Sequence, residues 1–162
     1  MYCCLILPMM IQTPLSKKTI INRSLKLLEQ KCNDIEDVIQ NLKSTIISTS
    51  NIHGKGLFAS EDIQKGFVLG ALDGQLISWD LHEKCKLTFE WNAVSKNKLL
   101  VRAYRTKYSY INHSRKPNLT LKHNPLRVVS DRDISKGEEL TLDYRLEPLP
   151  DEYIQGRGKD YL

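Results

Sequence analysis

The chain has 162 residues, 41% of them hydrophobic and 27% charged, with a formal net charge of +5. Those proportions are those of an ordinary globular protein and leave room for one compact domain. They argue against a membrane-spanning chain, since no apolar run reaches the ~20 residues of a bilayer helix. They argue equally against a nucleic-acid binder, since Lys and Arg are scattered, with no basic run or aromatic-interleaved stripe.

Residues 1–15, MYCCLILPMMIQTPL, are apolar but have no charged start and no clear small-residue cleavage site, so they read as a tail and not as a signal peptide. From 16 to 47 the texture is helical. Ile21, Leu25, Leu28, Cys32, Ile35, Ile39, Leu42 and Ile46 recur at steps of four and three, with polar residues on the other faces. Ser16 is a plausible N-cap, and Asn33 and Asp34 mark a break between two helices. The near-heptad stripe has two readings, a homodimer seam and an amphipathic helix packed on its own domain; the second is favoured because coiled coils usually sustain more repeats. The four cysteines, Cys3, Cys4, Cys32 and Cys85, form no Cys-x-x-Cys pair and sit near no histidine at ligand spacing. No metal site or disulfide framework is therefore expected, and a reducing, cytoplasmic compartment fits, with the nucleus or a host cell as the other settings.

After STSNIHGKG the chain turns to short β-type segments: GLFAS, GFVLGAL, GQLIS, KLLVRAY, LTLKH, LRVVS and ELTLDY, punctuated by Gly, Asp, Asn, Lys and Pro. SEDIQKG (60–66) and DRDISKG (131–137) echo one another, each ending on a glycine suited to a positive-φ turn. SWDLHEKCKLTFEWNAVSKNK is the least regular stretch and reads as an insert, and residues 147–162 read as an irregular tail.

Three motifs carry chemistry. HGKGLFA (53–59) has two glycines that let a ligand approach the backbone closely, but it has neither the third glycine of a dinucleotide fingerprint nor the form of a P-loop. YINHSRKPN places Asn112, which both donates and accepts, beside His113, with Pro117 locking one side of the loop. A Ser114–His113 nucleophile is disfavoured, because sequence neighbours seldom present side chains to each other and no nucleophile elbow is present. KGEELTLDY ends a strand at Asp143 and Tyr144; taken alone, Tyr144 is a core tyrosine.

In order and spacing, GKGLFA, DIQKG, YINHSRKPN and DRDISKGEELTLDY together resemble the SET-domain family of protein lysine methyltransferases, over about residues 48–146. The resemblance implies a mostly β fold with some α: small curved sheets with a C-terminal pseudoknot, preceded here by the helical segment and followed by a tail that closes the cleft. It implies S-adenosylmethionine as cosubstrate, no metal, and a protein lysine, of a histone or other protein, as substrate. By position, Lys55, Gly56 and Phe58 would line the cofactor cleft, Tyr110 would pack near it, Asn112 would hydrogen-bond the cofactor and His113 would hold it through its backbone. Tyr144 would be the catalytic channel tyrosine. Leu121 and Leu142 would line the substrate channel, and the lack of a phenol at either position implies addition of more than one methyl.

The departures are informative. Arg115 replaces the usual Cys after Asn-His-Ser and no cysteine follows Cys85, so the zinc-bound post-SET cluster is absent and the form is closer to compact viral and bacterial members. Tyr153 and Tyr161 are candidates to close the cleft instead, and Ser109 stands where an Arg is common. Glu138, Glu139, Asp143, Asp151 and Glu152 form a candidate acidic rim for a basic peptide. The alternative function is a non-catalytic SET-like interaction module.

Overall fold

The computed structural model describes residues 38–85, 90–160 and 162. The helical reading of 16–37 and the proposed dimer seam along it lie outside them. The end of that stripe is not helical. Residues 40–44 are irregular, Ser44 adopts φ 59°, and Thr45–Thr49 is a strand, β1. The left-handed Ser44 ends any helix, and the β-branched run Thr45-Ile46-Ile47 pairs with the glycine-motif strand instead. Leu42 is buried in the core and Ile46 is exposed on β1.

Among the described residues ten short strands form three sheets. The first has the order β1, β2 (Lys55–Ala59), β10 (Glu139–Leu142), β7 (Asn112–His113). In the second, β9 (Arg127–Ser130) lies between β3 (Val68–Ala71) and β8 (Leu119–Lys122). In the third, β6 (Lys98–Arg102) lies between β4 (Gln75–Ser78) and β5 (Glu90–Ser95). Every strand-like segment read from the sequence is found as a strand. The described part of the supposed insert holds helix α1 (Trp79–Cys85), started by Ser78 Oγ accepting the Leu81 N–H at 3.2 Å, and β5. β5 escaped recognition because its buried positions include Asn92 and the side chain of Glu90, polar residues that Arg102 satisfies from β6.

The DIQKG and DISKG echo has a structural meaning. Ile63 and Ile134 exchange both backbone hydrogen bonds, each at 2.8 Å. Asp133 Oδ1 accepts the Lys65 N–H at 2.7 Å, and Asp62 Oδ1 accepts the Lys136 N–H at 2.8 Å. Gly66 and Gly137 close the two turns at φ 82° and 83°. The segments clasp one another reciprocally, with both isoleucines buried.

The main core joins Leu57, Leu69, Ile111, Leu119, Val128, Ile134 and Leu140 beneath the first two sheets. A smaller core of Ala93, Leu99, Val101 and Leu149, flanked by Trp79, Trp91 and Tyr153, sits on the third. The tail is therefore not irregular: helix α2 (Asp151–Gln155) docks there, Tyr153 packing edge-on to Trp91 at 5.0 Å, with Lys96 bridging Asp151 at 2.9 Å. Among the described residues no helix is long and apolar enough to cross a membrane. The clasp gives a direct test. Ile134→Ala, which empties a buried site, is expected to cost about 3 kcal/mol, and Asp133→Ala about 1 kcal/mol, both measured by urea unfolding.

Candidate active site

The first sheet brings the three motifs side by side. β10 pairs antiparallel with β2 on one edge, through Glu139–Phe58 and Leu140–Leu57, and parallel with β7 on the other, through Thr141–Asn112 and Leu142–His113. The Asn112 side-chain amide sits at the junction. Its Nδ2 lies 2.7 Å from Glu139 Oε1, 3.1 Å from Ser50 Oγ, 3.3 Å from the Lys55 carbonyl and 3.4 Å from the His53 carbonyl. Two N–H groups shared among four acceptors tie the glycine loop to β10 and leave spare acceptor capacity on exposed backbone. Gly56 is required there, because a Cβ would run into the Glu139 carboxylate and the Ser50 side chain.

At the end of β10, Asp143 turns the chain into a 3-10 turn, Tyr144–Leu146, by accepting the Arg145 N–H at 3.0 Å. The Tyr144 N–H donates to His113 Nδ1 at 3.1 Å, its hydroxyl donates to the Ile111 carbonyl, and the two rings lie 5.3 Å apart. A ring nitrogen that accepts is unprotonated, which assigns the neutral tautomer with hydrogen on Nε2. The 3.8 Å approach of His113 to Asp143 is therefore not an ion pair; the Arg145 guanidinium is the main cause that holds the Asp143 carboxyl below the usual range. His113 Nε2 is buried without a hydrogen-bond partner. Burial pushes the Tyr144 phenol up to about 12, so it is neutral near pH 7.

Tyr144 faces a cavity of about 260 Å³, walled by Tyr108, Ser109, Glu90, Trp91, Asn92 and Ala93 on one side and by Glu147, Leu149 and Tyr153 of the tail on the other. Its floor is a buried ion pair. Arg102 Nε donates to Glu90 Oε1 at 2.7 Å, with side chains 7% and 8% exposed, and Glu90 also accepts from the N–H and Oγ1 of Thr106, each at 2.7 Å. Arg102 completes its set on the Asp73 carbonyl at 2.8 Å and on Asn92 Oδ1, and its guanidinium stands 5.9 Å from the Tyr108 ring. Burial raises the Tyr108 phenol. Burial also raises the Glu147 carboxyl to about 7.

Of the residues singled out in the sequence, Lys55, Gly56, Asn112, His113 and Tyr144 are brought together on neighbouring strands and the turn that follows. Phe58 is half-buried on β2, opposite Glu139, and Tyr110 is buried in the main core. Leu121 and Leu142 also lie in that core and do not line the cavity. The phenol that does is Tyr108's, so the two leucines do not carry the expectation of multiple methylation. The acidic rim is also largely neutralised: Glu138 pairs with Arg132, Asp143 with Arg145 and Asp151 with Lys96. Tyr161 lies outside the described residues. Among the described residues no group of His, Cys, Asp and Glu is placed to hold a metal ion, and Cys85 is a free, exposed thiol. Tyr108, Trp91, Glu90 and Glu147 were missed from sequence; the tyrosine pair in KYSY, two residues apart on a 3-10 turn (Lys107–Tyr110), was the one available signal.

Two measurements probe this geometry. Arg102→Met leaves Glu90 buried without its cation and is expected to cost about 3 kcal/mol in urea unfolding. Glu147 has a folded value raised above its unfolded one, so its contribution is full below the ordinary carboxylate range and is lost as pH rises through about 7. Between pH 5 and 8 the wild type should lose on the order of 3 °C of Tm relative to Glu147→Gln.

Comparison with known proteins places this arrangement. Residues 54–145 match the SET domain family. The histone-lysine N-methyltransferase MEDEA of Arabidopsis thaliana is 25% identical over 140 residues, 78% of this chain and 20% of that protein. The histone-lysine N-methyltransferase trithorax of Drosophila virilis is 32% identical over 119 residues, 65% of this chain and 3% of its own length. A humanized mutant of the Chaetomium thermophilum Polycomb Repressive Complex 2 bound to an inhibitor superposes with a TM-score of 0.56 at 28% identity, covering 70% of this chain and 16% of that one. The chain thus spans a fifth or less of the length of these relatives. With the family matched across the glycine loop, the Asn-His-Ser strand and the Tyr144 turn, the chain belongs to the SET-domain family.

Proposed function

We propose that this protein transfers a methyl group from S-adenosylmethionine to the side-chain amine of a protein lysine. The observation that supports this most is the convergence of the Lys55–Gly56 loop, Asn112–His113 and Tyr144 on one sheet, beside a cavity walled by aromatic rings. The cavity's 260 Å³ is below the ~300–1,000 Å³ of small-molecule pockets and suits one extended side chain. A histone lysine is the favoured substrate, because MEDEA and trithorax are named for that activity.

The residues present fit the cosubstrate. The Asn112 amide, the carbonyls of His53 and Lys55 and the orphaned Nε2 of His113 offer donors and acceptors to a nucleoside or an amino-acid end. When bound, S-adenosylmethionine supplies an electrophilic sulfonium methyl. The lysine nitrogen would take that methyl through its lone pair, with the thioether as the leaving group. The chain's own task is to orient the amine and keep it neutral. A free lysine has a pKa near ~10.4. Burial among Tyr108, Tyr144 and Trp91 disfavours the ammonium, and alignment alone can supply roughly 7–11 kcal/mol. Tyr144, a neutral phenol anchored at both ends by hydrogen bonds, serves as a positioner.

Incubation with isotope-labelled S-adenosylmethionine and recombinant core histones should place label on a lysine, mapped by mass spectrometry. Tyr144→Phe should lower kcat by about 10²-fold with the cofactor Kd within about twofold, whereas Asn112→Ala should raise that Kd about tenfold. Cofactor binding with no transfer to histones or to lysate proteins would favour a non-catalytic interaction module; no cofactor binding would overturn the assignment.

A further inference from the structure

The cavity contains a carboxylate that none of the three motifs includes. Glu147 follows the Tyr144 turn directly, its N–H donating to the Tyr144 carbonyl at 3.1 Å, so the position of one is tied to that of the other. Both line the cavity. The Glu147 side chain is 12% exposed, and its Oε2 is buried with no hydrogen-bond donor. His123 Nε2 stands 3.6 Å away, beyond hydrogen-bond reach, on a ring that is 39% exposed.

The other ionisable groups around the cavity are already committed. Glu90 is engaged by Arg102 and Thr106. Tyr108, Tyr144 and Tyr153 are phenols that burial keeps protonated. Glu147 lines the same cavity as Tyr108 and Tyr144. A buried carboxylate oxygen without a donor is unfavourable and has two remedies, a proton or a cation. An alkylammonium carries three N–H donors and a compact positive charge, and can supply either.

We propose that Glu147 receives the substrate lysine, binding its ammonium and taking its proton, so that a neutral amine is left facing Tyr144. This rests on the lysine-methyltransferase reading above. The balance is simple: one proton passes from the ammonium nitrogen to a carboxylate oxygen, two opposite charges disappear together, and the nitrogen regains its lone pair. The proton then leaves the carboxyl for solvent, with the half-exposed His123 beside it as the way out. A carboxyl lifted to about 7 is a better match to an amine than an ordinary one, which favours the transfer.

The test compares wild type, Glu147→Gln and Glu147→Asp by kcat/KM on core histones from pH 5.5 to 9.5, with cofactor Kd as the folding control. Wild type should show a rising limb near pH 7. Glu147→Gln should lose that limb, fall at least tenfold at pH 7.5 and recover only at alkaline pH, and Glu147→Asp should restore part of it. A second readout needs no turnover. N-acetyl-lysine methylamide, titrated against the fluorescence of Trp91 in the cavity wall, should give a response that Glu147→Gln weakens and that Nε-acetylation of the probe abolishes. Failure of the wild type to methylate any lysine, in histones or in lysate proteins, refutes the parent reading, and the amine titration then decides this one alone. A wild-type pH profile in Glu147→Gln overturns the inference. So does an amine response that is absent in wild type or unchanged in the variant.

Discussion

The structure depends on one strand finding its place between two others. β10 is only four residues long, yet it is hydrogen-bonded to β2 on one edge and to β7 on the other, and β7 runs parallel to it. Parallel neighbours cannot be joined by a tight turn, so the chain must travel between them, here through the whole β8–β9 hairpin and the second clasp segment. This C-terminal pseudoknot is what sets Glu139 beside Asn112 and delivers Tyr144 against His113. Without it, the Asn-His-Ser loop and the glycine loop would have no shared wall.

A second, quieter constraint lies under the cavity. Buried ion pairs are usually poor contributors to stability, because desolvation offsets the Coulomb attraction. Here the pair is completed by Thr106, Asn92 and the Asp73 carbonyl, so nearly every polar atom has a partner. Such a filled network is stiff. It holds the floor on which Tyr108 rests and joins β5, β6 and the 3-10 turn carrying Tyr108 into one body. The phenols above it inherit that rigidity.

Much of this was legible in the residues. The seven punctuated strand segments are present because glycine, aspartate and proline mark turns for local reasons that tertiary packing does not override. The three motifs could be read as a site because their order survives in sequence although their contacts do not. What remained hidden is explained by position. β1 was concealed because Ile46 fell on the phase of an apparent helical stripe, and only its pairing with Phe58 reveals a strand. β5 was concealed because its buried face carries Glu90 and Asn92, whose burial makes sense only with Arg102 in place. β7 is two residues long and exists only because β10 lies beside it. The tail has no local signal of its helix; Tyr153 was singled out only through the resemblance, and its packing against Trp91 and Trp79 is what carries Leu149 and the tail to the cavity. Glu147 is an ordinary surface residue in sequence; burial alone makes it distinctive.

The clasp of Ile63 with Ile134, with its crossed aspartates, links stretches separated by roughly seventy positions. Each half satisfies the other's turn, so neither half can be complete while its counterpart is missing. A nascent polypeptide emerging from the ribosome therefore holds the glycine loop and the Asn-His-Ser loop long before it can use them. Competence arrives late in synthesis, when the second aspartate emerges and the strand behind it slides home. Assembly of the first sheet by an unfinished chain is thereby precluded by topology.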